Sequence, residues 1–599
     1  MTTQLNESLV KGGEFLIKET ASKDVFIPEE WSEEQIMIAQ SCNDFIDTEI
    51  FPNLDKIDSM KHPDLIPSLL EKTGQLGLLG SAIPEKYGGF GMDFNTTMLI
   101  AESFGKSHSF VVAFLAHSGI GTLPILFYGT EDQKEKYLPG LASGERKAAY
   151  CLTEPDAGSD ANAGKTRAML SDDRKFFVIN GQKMWITNAG YANLFIVFAK
   201  IENDKYLSAF IVEKSFGGIT MNEEEKKLGI KGCSTRQVFF NDCKVPIENL
   251  LGKREEGFKM ALNILNIGRI DLGAATMGGA KLALKNSIRY ANERKQFGVT
   301  IGNFGAIKHK LAELATQIYV TEAALFRTGH NIEEVSKLYM EDGLDTESAK
   351  LKAIEEFAIE CAILKVHGSE VLDFAVDEAV QIHGGLGYSA EGPVERGYRD
   401  ARINRIFEGT NEINRLVTID MLLKRAMKGS LDLMTPTMEV QKELTSIPEF
   451  GDNGGNHLLA KEKKVLLNLK KTGLMIAGAA VQKLMMKLKD EQEILMNLAD
   501  MLIEGYVAES VILRAEKLAN LKGIDACQRQ IDMAKIYLHA AIHKITIAAK
   551  EAIYAFSEGD EQRMLLLGLK RFTKIDPFNL KEARRKIADE LLERNDCCF

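Results

Sequence analysis

A chain of 599 residues is longer than one hydrophobic core can organise, and it predicts about three or four domains. Hydrophobic content of 45%, charged content of 27% and only 13 prolines describe a compact soluble protein without long disordered tracts. A formal net charge of -11 with no long Lys/Arg stripe speaks against a nucleic-acid binder.

The opening segment, MTTQLNESLVKGGEFLIKET, mixes acids and bases and lacks both a long apolar core and an Arg-rich amphipathic pattern. Neither secretion nor organelle import is signalled, and a cytoplasmic location is expected. Residues 1–29 read as a lead segment. From Ser32 to about Ser143 the apolar spacing is helical, as at Leu65, Leu69 and Leu70, with breaks at Pro63, Pro84 and Gly88-Gly89. Residues 30–149 are therefore expected to form an all-helical domain. No uninterrupted apolar stretch is read as reaching the roughly 18 to 20 residues of a membrane-spanning helix, the nearest being Leu474 to Met486.

Near Ala149 the pattern changes to short β-type runs: Phe176 to Ile179, Leu194 to Phe198, Phe210 to Val212 and Val238 to Phe240. Asn180-Gly181, Asn203-Asp204 and Asn241-Asp242 read as hairpin turns between them. A β domain over 150–252 follows. It opens on Tyr150-Cys151-Leu152-Thr153-Glu154-Pro155-Asp156-Ala157-Gly158-Ser159-Asp160, a turn that either exposes backbone N–H groups and hydroxyls to an anionic or carbonyl-rich ligand or merely enters a strand. In Lys183-Met184-Trp185-Ile186-Thr187-Asn188, an indole beside a threonine hydroxyl can stack on a planar ring and bond its edge; otherwise Trp185 is a core anchor.

Helical spacing returns at about Gly257 and runs to about Lys428, giving a helical domain over 253–428. Glu293-Arg294-Lys295-Gln296-Phe297-Gly298 ends its first helix with two cations at the negative dipole end, ordinary capping unless Arg294 reaches a phosphate. The Gly-rich loop at 381–387 lets backbone approach a ligand, yet it is no GxGxxG fingerprint and follows no strand. Glu408 sits between the apolar pair Ile406-Phe407 and Gly409. Burial against that pair would raise its pKa and make it a candidate base near neutral pH. The alternative is a solvated helix-end glutamate.

A polar stretch from about Lys428 to Asn456 reads as a linker into a helical extension, 429–599. There Leu474, Ala477, Gly478, Val481, Met485 and Leu488 form a stripe flanked by lysines, suited to core packing or to peripheral membrane contact. His539 and His543 share a helix face without a third ligand and read as structural, so no metal is expected. The eight cysteines show no CxxC or CxxH spacing and read as reduced thiols, and Cys597-Cys598-Phe599 is not a CaaX end.

Taken in order, YCLTEPDAGSD, MWITN, ERKQFG, QIHGGLGY and RIFEGTNEI make the chain from about Glu30 to Lys428 resemble the acyl-CoA dehydrogenase family. The resemblance implies an N-terminal helical domain, a middle β-sandwich or barrel and a C-terminal four-helix bundle, mainly α with a central β domain. Here an extra helical domain is added, as in the very-long-chain branch, which Asn303-Phe304-Gly305 also resembles. The implied cofactor is non-covalent FAD. The family pattern puts Tyr150, Leu152, Thr153 and Ser159 along the flavin and pyrophosphate, Trp185 and Ile186 near the isoalloxazine, and Thr187 close to flavin N5. It puts Arg294, Phe297, Gln381, Gly384 and Gly385 on FAD across a subunit interface, implying a homo-oligomer, dimer or tetramer. Thr410 and Glu412 touch FAD again, while Ser159, Asn266, Arg269 and Gly409 lie near the acyl-CoA.

In the same pattern Glu408 is the catalytic base, with its own N–H polarising the thioester carbonyl. The base position of other members falls here on Gly268. The implied reaction is α,β-dehydrogenation of a saturated, long-chain fatty acyl-CoA, with electron-transfer flavoprotein as acceptor. The alternatives are an oxidase that uses oxygen and a member with an added assembly role. Val112 and Leu115 stand where very-long-chain enzymes tend to have glycine.

Overall fold

The computed structural model describes residues 9–446 and 458–597; the first eight residues, the stretch 447–457 of the expected linker, and Cys598 and Phe599 lie outside the described residues. The expected plan of helices, sheet, helices and helical extension is the observed one.

The first helical layer begins with α1 (Glu33–Phe45), whose N-cap Ser32 accepts from the Gln35 N–H while the Gln35 side chain accepts from the Ser32 N–H. It continues through α2 (Leu54–Ser59), α3 (Leu65–Gln75) and α4 (Phe94–Phe104), the last capped by Asp93, and ends with α7 (Glu131–Ala142). Between them run α5 (Ser109–Leu115), a π-helical turn at Ala116–Gly121 and α6 (Leu123–Tyr128). This stretch corrects the sequence reading: Ser109–Tyr128 is long and apolar enough to cross a membrane, and 72% of its most apolar window is buried inside the protein. His117 and Ser118 mask it in the sequence. In the fold His117 is buried between the Leu141 carbonyl (2.9 Å) and the Ala148 N–H (3.1 Å).

The eight strands are β1 (Ala148–Cys151), β2 (Arg167–Leu170), β3 (Phe176–Thr187), β4 (Leu194–Ile201), β5 (Ser208–Glu213), β6 (Ile219–Met221), β7 (Thr235–Pro246) and β8 (Leu250–Leu251). They pair in the order β6-β7-β3-β2-β4-β5-β8, with β1 parallel to β4. Phe177, Ile179, Phe195, Val197, Phe210 and Phe240 fill their core. Asn203-Asp204 lies in the β4–β5 turn, as expected. The other two pairs do not turn the chain. Asn180-Gly181 and Asn241-Asp242 face each other inside the β3–β7 pair at a bulge, where Asn180 Nδ2 donates to Asp242 Oδ1 (3.0 Å) and the Asp242 N–H donates to Asn180 Oδ1 (2.8 Å). Residues that favour turns also tolerate the positive φ a bulge needs, here 155° at Gly181 and 50° at Asp242.

The bundle is built on α8 (Gly257–Glu293), α9 (Gly305–Glu341), α10 (Thr346–Glu356) and α11 (Ala358–His383), followed by α12 (Gly385–Tyr388), α13 (Glu395–Ala401) and α14 (Asn411–Met427). A small hairpin, β9 (Lys295–Gln296) and β10 (Val299–Thr300), follows α8. The Gly-rich segment is not the open loop expected: Gln381–His383 complete α11, Gly384 reverses the chain at φ 59°, and Gly385–Tyr388 wind a further turn. The linker too is corrected, since α15 (Met434–Thr445) forms within it.

The extension, α16 (Ala460–Leu484), α17 (Gln492–Lys522), α18 (Gln528–Phe556), α19 (Gly559–Phe572) and α20 (Leu580–Arg594), packs against α9 and α14. Buried ion pairs fix this contact. Arg327 on α9 meets Glu509 on α17 at 3.0 Å, and Lys470 on α16 pairs with the same carboxylate. The apolar stripe is spent inward on α16 at Leu474, exposed at Val481, and leaves the helix before Met485, which is exposed in the turn that follows. The lead segment is wedged beside it: Phe15 packs on Tyr506 at 4.7 Å and the Gly13 N–H donates to Glu360 at 2.7 Å.

Candidate active site

The turn before α14 carries Glu408 at φ 57° and Gly409 at φ 81°, two successive left-handed residues of which only the glycine is unstrained. Side chains from three helices hold this turn by its carbonyls. Asn414 Nδ2 donates to the Gly409 (2.8 Å) and Thr410 (3.0 Å) oxygens, Arg269 Nε donates to the Glu408 oxygen (3.3 Å), and Lys365 Nζ donates to the Gly409 oxygen (2.7 Å). Thr410 then caps α14 by accepting from the Ile413 N–H, and the helix start beside exposed Glu412 holds that carboxylate below its usual range.

The turn leaves the Glu408 carboxyl facing a cavity lined by Val112, Ile120, Thr187, Gly268, Leu272 and Phe407. Its Oε2 is sealed from solvent and has no hydrogen-bond partner among the described residues. Burial pushes the carboxyl up to about 7, against the opposing pull of Arg269 and Lys365. Among the described residues no hydrogen bond from the Glu408 N–H is found. Gly268 is what makes room: a Cβ there would lie 2.9 Å from Glu408 Oε2 and 3.3 Å from Ile120. One element of the sequence reading fails. Ile406 is 48% exposed, so the apolar surroundings come from Phe407 and from distant residues rather than from the adjacent pair.

Tyr150 lies within the electrostatic reach of Glu408, and its buried hydroxyl lacks a partner. Leu152 is buried, Thr153 is half-buried and Ser159 is exposed on the turn that follows. That turn is anchored by residues the sequence reading left unassigned: Lys183, fully buried, donates to Glu154 (2.7 Å) and to the Leu152 carbonyl (3.2 Å). A bulge in β3 between Lys183 and Ile186 puts Trp185 at φ 60° and turns its indole outward, 53% exposed. The core-anchor alternative for Trp185 is thereby excluded. Ile186 faces the other way, buried in the β core at 2% exposure, so only its backbone can face a ligand; Thr187 lines the Glu408 cavity.

Asn266 and Arg269 are buried and bonded to each other, Nη1 to Oδ1 at 2.9 Å, which makes Arg269 a support for the Glu408 turn rather than an open contact. Arg294, Phe297, Gln381, Gly384 and Gly385 form a separate exposed group at the C-terminal ends of α8 and α11, which Tyr290 and His383 tie together by stacking at 4.4 Å. Phe297 is 94% exposed. Arg294 lies 26 residues beyond Gly268, about 39 Å along α8 at 1.5 Å per residue.

The chain matches the acyl-CoA dehydrogenase N-terminal domain over residues 32–145, the middle domain over 149–243 and C-terminal domains over 255–423 and 468–571. It is 43% identical to a "Probable acyl-CoA dehydrogenase" of Bacillus subtilis (strain 168), over 97% of this chain and 98% of that protein. It is 38% identical to the mitochondrial very long-chain specific acyl-CoA dehydrogenase of Rattus norvegicus, over 75% of this chain and 70% of that one. A crystal structure of an acyl-CoA dehydrogenase complexed with FAD from Bacillus anthracis superposes with a TM-score of 0.95 at 45% identity, covering 98% of this chain and all of that one. With every domain matched in order around a buried carboxylate, the chain belongs to the acyl-CoA dehydrogenase family.

Proposed function

We propose that the protein is an FAD-dependent acyl-CoA dehydrogenase that converts a long-chain saturated acyl-CoA to the trans-2-enoyl-CoA, with Glu408 as base. The observation that carries this reading is the Glu408 carboxyl: on a half-buried residue, sealed and unpartnered at Oε2 among the described residues, held near 7 and facing a cavity past a glycine. A base poised there takes the α-proton on that oxygen, and its raised pKa keeps the proton on the enzyme until product leaves. The Glu408 N–H is a donor for the thioester carbonyl, which makes the α-proton removable.

The residues present fit FAD: an outward-turned indole at Trp185, a hydroxyl at Thr187 on the cavity wall, the buried Tyr150 hydroxyl, and the turn at Leu152, Thr153 and Ser159 anchored by Lys183 and Glu154. When bound, FAD supplies the acceptor for the β-hydrogen. The exposed group at Arg294, Phe297 and Gln381 is too far from this centre to serve it within one chain. We assign it to the FAD of a second copy, in a homo-oligomer.

Long chains are supported by a further, solvent-open cavity that adjoins the first at Val111, Val112, Ala275 and Asn404. Small residues of α8 line the path, Gly268, Ala275, Gly279 and Ala283, over about 22 Å of helix. Val112 stands at the junction as its narrowing side chain. The form of the EGTNEI segment favours electron-transfer flavoprotein over oxygen as acceptor. Anaerobic mixing of the yellow protein with saturated acyl-CoAs of increasing length tests the reading. Bleaching of the flavin band is expected for long chains, rapid recolouring by air alone would mark an oxidase, and no bleaching at any length would refute the assignment.

A further inference from the structure

Asp271 stands one turn along α8 from Gly268, three residues or about 4.5 Å, and lines the Glu408 cavity. It also lines another cavity, which shares Leu115, Gly119 and Asp271 with the first and is walled by Ile100, Phe114 and Phe127. Among the described residues no hydrogen bond or ion pair to the Asp271 carboxyl is found.

The charged and titratable groups around it do not neutralise it. Glu408 faces it across the cavity and repels it. Arg269, on the same helix, is spent on the Glu408 carbonyl and on Asn266. From α11 it feels only the Cys361 thiol, and from α10 Glu347 and Lys350 line the second cavity as an opposed pair of charges. The α5–α6 stretch presents Leu115 and Gly119, with His117 turned away toward Leu141. Burial, then the Glu408 carboxylate, pushes Asp271 up to about 7.

A carboxylate without a partner is tolerated in a wet cavity and penalised in a dry one. An acyl group whose α- and β-carbons face Glu408 crosses this cavity on its way toward Ala275, and a long chain fills the space beside Asp271 that a short one leaves to water. We propose that Asp271 is a specificity-determining residue of the acyl site: a long alkyl chain packed across it must drive its carboxylate to take a proton from solvent, so that discrimination between long and short chains depends on pH. This inference rests on the acyl-CoA reading above and names a selector within it.

The test is the ratio of kcat/KM for lauroyl-CoA to that for butyryl-CoA, because the titration of Glu408 is common to both substrates and cancels. In the wild type the ratio is expected to fall about tenfold between about pH 6.5 and 8.5, carried by KM for lauroyl-CoA. Asp271→Asn, equal in size and uncharged, is expected to hold the ratio level, and Asp271→Ala to do the same if Asn perturbs folding. A level ratio in the wild type, or a ratio that falls as steeply in both variants, would overturn the proposal. If neither thioester bleaches the wild-type flavin, the proposed function itself falls, and this selector with it.

Discussion

Glu408 is strained at its backbone, unpartnered at one oxygen among the described residues and desolvated, three features that cost stability and suit the proposed base. Activity from such a base has to appear as the carboxyl ionises, so kcat/KM for butyryl-CoA, too short to fill the space beside Asp271, is expected to rise about tenfold per pH unit below about 7 and to level off above it. Glu408→Gln is expected to bind FAD and acyl-CoA and to lose flavin bleaching; near-normal reduction in that variant would remove Glu408 from the chemistry. Stability gives an independent check. A carboxyl raised from 4.5 to about 7 destabilises the fold once it must ionise, so its contribution is retained below about pH 4.5 and lost as pH rises through 7. Urea unfolding of Glu408→Gln is therefore expected to show about 1–3 kcal/mol more stability than wild type at pH 8 and near equality at pH 4. The motif around Glu408 was legible in the sequence. Its desolvating neighbours were not, because Ile120, Thr187 and Gly268 come from other elements and Ile406, the neighbour in sequence, points to solvent.

At the scale of elements, strand bulges and a buried ion pair do the positioning. The β3 bulge turns Trp185 out while Ile186 stays in the core, a distinction that alternation along a regular strand would have reversed or blurred. Lys183 and Glu154 tie the turn before β2 to β3, and both side chains are at most 5% exposed. Lys183→Met would leave the Glu154 carboxylate buried without its cation, and a loss of about 3–5 kcal/mol in denaturant unfolding is expected, with weaker FAD retention during gel filtration. Unchanged stability would show that the Lys165 and Thr166 N–H groups, which also donate to Glu154, suffice alone. Both residues stood in plain sight in the sequence, yet their spacing carries no signal: an ion pair between positions 154 and 183 exists only because β1 and β3 lie side by side.

At the scale of the whole molecule, the groups around Glu408 and around Arg294 stand too far apart on α8 to meet within one chain. If they meet across two copies, each defective in one group, a mixed oligomer rebuilds one complete centre. Arg294→Ala and Glu408→Gln proteins, each weak or inactive alone, are expected to regain about a quarter of wild-type activity when co-expressed at equal levels, the share of sound sites in a random pairing. No recovery would confine Arg294 to a structural role. The extension is bound to the bundle through Arg327, Glu509 and Lys470, and the lead segment is pinned beside it through Gly13 and Phe15, contacts that local periodicity does not encode. The sequence by itself determined the order of helical and β segments, the family and the candidate base, because hydrophobic period and ordered motifs are local properties of the chain. Only the tertiary structure decided what seals Glu408, which way Trp185 and Ile186 face, and that an unpaired Asp271 shares the cavity. Burial and pKa depend on atoms that are distant in sequence and become neighbours only when the elements pack.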